Sequence, residues 1–254
     1  MPPSLRPDGR EYSPHPSGGG RDDSGGGRDE FLTSLVMTHL HIVWDWNGTL
    51  LNDLDLVVRS VSASLARHGH DPIDADMYRD HYTRPVRAFY DSLFGRNIGD
   101  MEWEELNKTF HEVYYAGVDS AALAHDAVST LNRAASRGLG QSLLSMSTHE
   151  HLVLTVRAHG IESYFNLVTG LRQPTGEVKA AYLRRHLLDQ DVDPSTVVVV
   201  GDTPDDHAAA MSVGARSILY DGGSHHRHVL ESQGAPVVDS LAAALEMIEA
   251  GAVA

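Results

Sequence analysis

Five short apolar runs punctuate the chain from residue 41 onward: HIVWDW (41–46), QSLLSMS (141–147), LVTG (167–170), TVVVVGD (196–202) and SILYDGG (217–223). Each is rich in aliphatic or β-branched residues and gives way to turn formers, the pattern of buried strands running into loops. Between the later runs lie helix-period stretches, HLVLTVRAHG, KAAYLRRHLLDQD and DDHAAAMSVGA. Strands alternating with helices predict an α/β fold, a Rossmann-like and mostly parallel sheet covered on both faces.

The segment from about 52 to 140 interrupts this alternation and reads as helical throughout. Leu54, Val57, Val58, Val61 and Leu65 fall at helical spacing, and Gly69 and Pro72 close that helix. Helices over about 75–81, Pro85 to Phe94 and Met101 to Tyr115 follow, and HDAVSTLNRAASRG leads back to the core with a stop at Gly138. The predicted organisation is an α/β core formed by 37–53 and 126–254, with an all-helical cap inserted at 54–125. Residues 1–36 contain the near-repeat GGGRDD, GGGRDE and little that could be buried, so they read as a disordered leader, with Met37 a plausible alternative start.

Composition narrows the function. A formal net charge of −15 opposes general affinity for nucleic acid or anionic membranes, leaving a small molecule as the expected partner. The absence of cysteine excludes disulfides and thiolate chemistry and fits a reducing compartment. No apolar run approaches the ~20 residues that span a bilayer, so the expected location is cytoplasmic. The 20 basic residues comprise 18 arginines and only two lysines, Lys108 and Lys179.

In a doubly wound sheet, ligands bind outside the carboxyl ends of the strands. Asp45 follows the first predicted strand, Ser145 ends the second, Lys179 opens a helix after the third, and Asp202 ends the fourth with Asp205 and Asp206 just beyond. Singly, Asp and Ser are ordinary helix caps and strand ends. Their joint occurrence, with one of the two lysines among them, marks a candidate site, because lysine offers a compact charge suited to a phosphoryl oxygen.

The order DWNGTL, LLS, the lysine of TGEVK and VVVVGDTPDD resembles the four motifs of the haloacid dehalogenase superfamily, over about residues 41–220. The wider sequence is similar to its phosphoglycolate-phosphatase-like branch, with a helical C1-type cap between the first two motifs. The resemblance implies a Mg²⁺-dependent phosphatase acting on a small phosphorylated metabolite. Asp45 would be the nucleophile and form an aspartyl phosphate. Asp202 would bind Mg²⁺ with the Asp45 carboxylate and the backbone carbonyl of Asn47, and Asp206 would support the metal or its waters. Thr49, Ser145 and Lys179 would hold phosphoryl oxygens, with Gly48 and Met146 on the substrate side. Asp205 is equally credible as a helix cap.

Asn47 departs from this pattern, since phosphatases of the superfamily normally carry an aspartate there to protonate the leaving oxygen and then activate water. An amide does neither at neutral pH. General acid–base catalysis is worth ~10²–10⁴-fold, so ordinary phosphate esters should react slowly, and acyl phosphates or anhydrides should suffer less. Asn47-Gly48 is also prone to deamidation, which would restore an acid.

In the cap, HYTRPVRAFYDSLFGR supplies His81, Arg84, Arg87 and Tyr90, with Arg84 ahead of a proline and so outside a regular helix. His81, Arg84 and Arg87 are candidates to hold a substrate carboxylate or phosphate. The histidine clusters SHHRH (His225, His226, His228) and HEH (His149, His151) fit no zinc spacing strongly and read as exposed or structural, or as part of the site rim. Three alternatives stand beside the phosphatase. One is a phosphometabolite-binding protein with little turnover, and another a metal-independent dehalogenase. The third is a phosphonate hydrolase, which would need Lys108 as its Schiff-base lysine.

Overall fold

The computed structural model describes residues 40–172 and 178–253. The leader (1–36), the alternative start at Met37 and Thr175–Glu177 of the TGEVK motif lie outside them.

The hydrophobic pattern becomes a six-stranded parallel sheet in the order β5-β4-β1-β6-β7-β8. Its strands are β1 (His41–Trp44), β4 (Gly140–Thr148), β5 (Val168–Leu171), β6 (Val197–Gly201), β7 (Arg216–Tyr220) and β8 (Val237–Val238). Successive side chains on a strand point to opposite faces. Thus Ile42, Trp44, Val198 and Val200 enter the core on one face, while Val43, Val197 and Val199 enter the core on the other. Helices α5 (Ala127–Ser136) and α10 (Leu241–Glu249) supply Leu131, Leu241 and Leu245 to the first face. Helices α7 (Lys179–Leu188) and α8 (Pro204–Val213) supply Leu183, Leu187, Ala209 and Ala210 to the second.

Between β1 and β4 the chain forms α1 (Leu54–Arg67), α2 (Ala75–His81), α3 (Val86–Phe94) and α4 (Asp100–Gly117). These pack around a separate apolar cluster that includes Val61, Leu65, Tyr78, Phe89, Tyr90 and Leu106. The chain leaves and re-enters through two short strands, β2 (Leu51–Asn52) and β3 (Ala122–Leu123), which pair antiparallel with Leu51 opposite Leu123.

The apolar pattern did not reveal β2, β3, β8, α10 or the short helix α9 (Arg227–Glu231), which the SHHRH segment enters where a loop is expected. Two-residue strands carry no readable period, and α9 is barely one turn. Helix α6 (His149–Ala158) begins directly at the end of β4.

Candidate active site

The sheet order places β4, β1 and β6 side by side, so residues at their carboxyl ends converge. Asp45 follows β1 and its N–H donates to the Val200 carbonyl at 2.9 Å, tying the loop to β6. Asp202 follows β6. Asp206 stands in the first turn of α8 in a capping box, where its carboxylate accepts from the Thr203 N–H at 3.0 Å and from the Thr203 hydroxyl at 2.7 Å. One carboxylate oxygen from each of Asp45, Asp202 and Asp206 lies within 4.8 Å of the others. Lys179, at the start of α7, reaches over to Asp206 at 2.5 Å and also bonds Asp45.

All four groups are buried. Burial pushes the Asp45 carboxyl up, the Lys179 ammonium pulls the other way, and the balance lies at about 6. Asp202, buried beside Asp45 and Asp206 and with no cationic partner among the described residues, is pushed up to about 8. Burial opposes ionisation of Asp206, but Lys179 and the Thr203 donors outweigh it and hold this carboxyl below its usual range. Burial likewise opposes the Lys179 charge, yet the Asp206 and Asp45 carboxylates hold it more firmly protonated than usual. Three carboxylates against one ammonium leave an excess of negative charge, with an oxygen-only donor set suited to a hard divalent cation. Backbone is drawn close around this cluster: a Cβ on Gly48 would lie 2.4 Å from Asp202 Oδ2, and one on Gly223 2.2 Å from it. Gly48 also has φ +72°, in the left-handed region.

Asn47 is held on every side. Its Nδ2 donates to Asp53 Oδ2 at 2.7 Å and to the Tyr114 hydroxyl at 2.6 Å, and its Oδ1 accepts from Ser147 Oγ at 2.6 Å. Ser145 Oγ approaches the same oxygen at 3.4 Å. Tyr114 donates onward to Asp53 at 2.6 Å, and the Gly48 N–H donates to the other Asp53 oxygen at 2.9 Å. Burial raises the pKa of both Asp53 and Tyr114.

A cavity of about 490 Å³ opens over this cluster and runs into the helical segment. Asp45, Asn47, Gly48, Arg84, Ser145, Met146, Lys179, Asp202 and Asp206 all line it, as does Tyr90. Arg84 stands outside α3 and pairs with Asp205 at 3.3 Å, which gives Asp205 a partner in the cap.

Three expected site residues lie elsewhere. His81 bonds Ser92 Oγ at 2.7 Å, and Arg87 is held by Asp100 and the Ile98 carbonyl at 2.7 and 2.6 Å; neither lines the cavity. Arg87 and Tyr90 lie three residues apart on α3, but only Tyr90 lines the cavity. Thr49 is wholly buried beneath the carboxylates, its hydroxyl 3.5 Å from Asp45 and 3.4 Å from Asp202, so it braces them instead of facing the cavity. Lys108 is exposed beside Glu112 and also off the cavity, which removes the lysine that a phosphonate-cleaving chemistry would require. Of the histidines, His225 is buried against the Tyr82 ring at the site rim and His226 bonds Asp80 at 3.0 Å. His149 bonds the Gly170 N–H, and His151 stacks on Tyr115.

Sequence reasoning missed Asp53, Tyr114, Ser147 and the aromatic wall of α4. Asp53 was within reach, six residues from Asn47 and just before α1. The α4 wall had a signal too, in the helical spacing of Trp103, Asn107, Phe110, His111 and Tyr114.

Residues 42–220 match the model of the haloacid dehalogenase-like hydrolase family. The phosphoglycolate phosphatase of Synechococcus elongatus is 24% identical over 191 residues, covering 74% of this chain and 87% of the relative. Phosphoglycolate phosphatase 1 of Pseudomonas aeruginosa is 25% identical over 210 residues, covering 79% and 76%. Among solved structures, that of a predicted phosphatase from Clostridium acetobutylicum superposes with a TM-score of 0.73 at 15% identity, covering 83% of this chain and 98% of that one. With the family model spanning five of the six sheet strands, the helical insert and all four carboxylate and lysine positions, the chain belongs to the haloacid dehalogenase-like hydrolases.

Proposed function

We propose that the protein is a Mg²⁺-dependent phosphatase that hydrolyses a small phosphorylated metabolite through an aspartyl phosphate, with phosphoglycolate as the reference substrate. The carrying observation is the Asp45 carboxylate, fixed at the end of β1 between Lys179 and the Asp202–Asp206 pair. The naming of two relatives as phosphoglycolate phosphatases supports it. Asp45, Asp202 and the Asn47 carbonyl would hold Mg²⁺, with Asp206 supporting it; when bound, the ion offsets the carboxylate charge and polarises the phosphoryl group. The absence of cysteine supports work in the cytoplasm.

An Asp45 oxygen attacks phosphorus, the P–O bond to the leaving group breaks, and its electron pair departs with the leaving oxygen. Water then attacks the phosphorus of the aspartyl phosphate, releasing inorganic phosphate and regenerating the Asp45 carboxylate. Lys179 and Ser145 hold phosphoryl oxygens during both steps. Asn47 moves no proton: its side-chain N–H groups are committed to Tyr114 and Asp53, and its side-chain oxygen to Ser147. Substrates whose leaving group departs readily as an anion are therefore favoured.

Phosphate release from acetyl phosphate and phosphoglycolate, with and without Mg²⁺, tests this for wild type and Asp45→Asn. Wild type should act only with Mg²⁺, and Asp45→Asn should lose at least about 10³-fold, in line with loss of other catalytic nucleophiles. An Asp45→Asn protein that retains activity would sink the mechanism. A wild type inert on both substrates would favour the binding-protein alternative.

A further inference from the structure

We infer that the pocket receives a phosphate ester bearing an aromatic ring, so that the preferred substrate is an aryl phosphate and not a two-carbon phosphocarboxylate. This rests on the phosphatase reading of the same site.

The first observation is the size and wall of the cavity. At about 490 Å³ it falls within the roughly 300–1,000 Å³ of pockets that enclose drug-sized ligands, far beyond what two carbons and a carboxylate fill. Away from the carboxylates it is walled by Trp103, Phe110 and Tyr114 of α4 and by Leu54, Val57 and Val61 of α1. The three α4 residues recur at helical spacing and form one face, with the Phe110 and Tyr114 rings stacked at 5.6 Å. An aromatic ring entering between the helices meets offset or edge-on partners.

The second observation is charge. Among the described residues, the permanent cations lining the cavity are Lys179 and Arg84. Lys179 is bound to Asp45 and Asp206, and Arg84 is paired with Asp205 at 3.3 Å. A substrate carboxylate held among the α1 and α4 side chains that line the cavity would be desolvated with no lysine or arginine among them, a costly placement. Polar side chains are available instead. Asn107 and His111 line the wall, and the buried Tyr90 hydroxyl makes no hydrogen bond of normal geometry, its polar neighbour being Ser64. Ser64 spends its own proton on the Ser60 and Leu106 carbonyls.

The third is the chemistry at Asn47. When Asp45 attacks an aryl phosphate, the P–O(aryl) bond breaks and the ring oxygen leaves with both electrons as a resonance-stabilised aryloxide, which takes its proton from solvent afterwards. No acid is required at residue 47. An alkoxide leaving from phosphoglycolate has no such stabilisation. Pocket wall, charge and missing acid thus select the same substrate class.

Steady-state kinetics with 1-naphthyl phosphate and phosphoglycolate, in Mg²⁺, give the test. The kcat/KM for the naphthyl ester should exceed that for phosphoglycolate by at least about tenfold, and Asn107→Trp, which fills the wall, should lower that ratio by about tenfold or more. In parallel, calorimetric titration of Asp45→Asn should find 1-naphthyl phosphate bound at least about tenfold more tightly than phosphoglycolate. Preference for phosphoglycolate, equal rates, or a ratio unmoved by Asn107→Trp would overturn the inference. If wild type releases phosphate from neither ester and not from acetyl phosphate either, the phosphatase reading fails by itself. The titration then decides the pocket: tighter naphthyl binding upholds the aromatic occupant, and equal or weaker binding rejects it.

Discussion

Asn47 and Asp53 are six residues apart in sequence and 2.7 Å apart in space, amide to carboxylate. In Asn47→Asp the donor nitrogen becomes an oxygen facing Asp53 at that distance, and two carboxylates so close share a proton. The variant therefore gains a transferable proton that the natural site lacks. Turnover of phosphoglycolate should rise by about 10- to 100-fold, below the top of the range for acid catalysis because Asp53 competes for the proton, while acetyl phosphate should gain less than about threefold. Phosphate-release assays on both substrates check this, and equal gains would show that leaving-group protonation is not the cause. The same bonds immobilise the amide against closure onto Gly48, so peptide mass analysis of active protein should find residue 47 as unmodified Asn.

Lys179 is the sole cation bonded to Asp45 and Asp206 among the described residues, and all three are buried. Lys179→Met leaves two buried carboxylates uncompensated. Breaking a buried pair in this way typically costs about 3–5 kcal/mol, and urea denaturation without Mg²⁺ should show a loss of that order. Added Mg²⁺ should restore part of it, because a ligand bound only by the folded state stabilises that state. A variant as stable as wild type would mean that the ammonium is not what holds the two carboxylates together.

At the other end of the sheet, His41 and His186 share one hydroxyl: their Nε2 atoms lie 2.7 and 2.8 Å from Ser142 Oγ, and His186 Nδ1 lies 2.7 Å from Thr169 Oγ1. Burial lowers each imidazole from 6.5 to about 4. Both are thus neutral in the folded protein, whereas the unfolded chain binds protons below pH ~6.5. Stability from this pair is fully present above about pH 6.5 and is lost as pH falls toward 4, by up to ~3 kcal/mol per histidine. Denaturation midpoints measured from pH 7 down to 4 should fall over that interval, and replacement of both histidines by glutamine should flatten the fall.

How much of this was legible in the sequence follows from the length and period of each signal. Five parallel strands announced themselves because burial on both faces demands unbroken apolar runs, as in Val197–Val200. Asp45, Lys179, Asp202 and Asp206 were legible because each follows a predicted strand or opens the helix after one, at the carboxyl edge where such sheets bind ligands. What sequence could not show is orientation. Arg87 and Arg84 look equivalent three residues apart, yet one is spent on Asp100 and the other faces the cavity. Tyr114 lies 67 residues from Asn47, and only the packing of α4 over the sheet brings their polar atoms to 2.6 Å.

The pairing of β2 with β3 constrains how a substrate enters. Both passages of the chain between sheet and helices are stitched into one ribbon, with Leu51 opposite Leu123 and the Ala124 N–H donating to the Leu50 carbonyl at 2.9 Å. A body moored along a single line can rock about it but cannot slide over the sheet. A movement of the four-helix unit above Asp45 would then be a swing, and the contacts it would break include Arg79 on the Gly223 carbonyl, Asp80 on His226, Arg84 on Asp205 and Tyr114 on Asn47. The Arg84–Asp205 pair is ionic and solvent-accessible, so ionic strength, which weakens such pairs, would act on that swing as well as on the ligand.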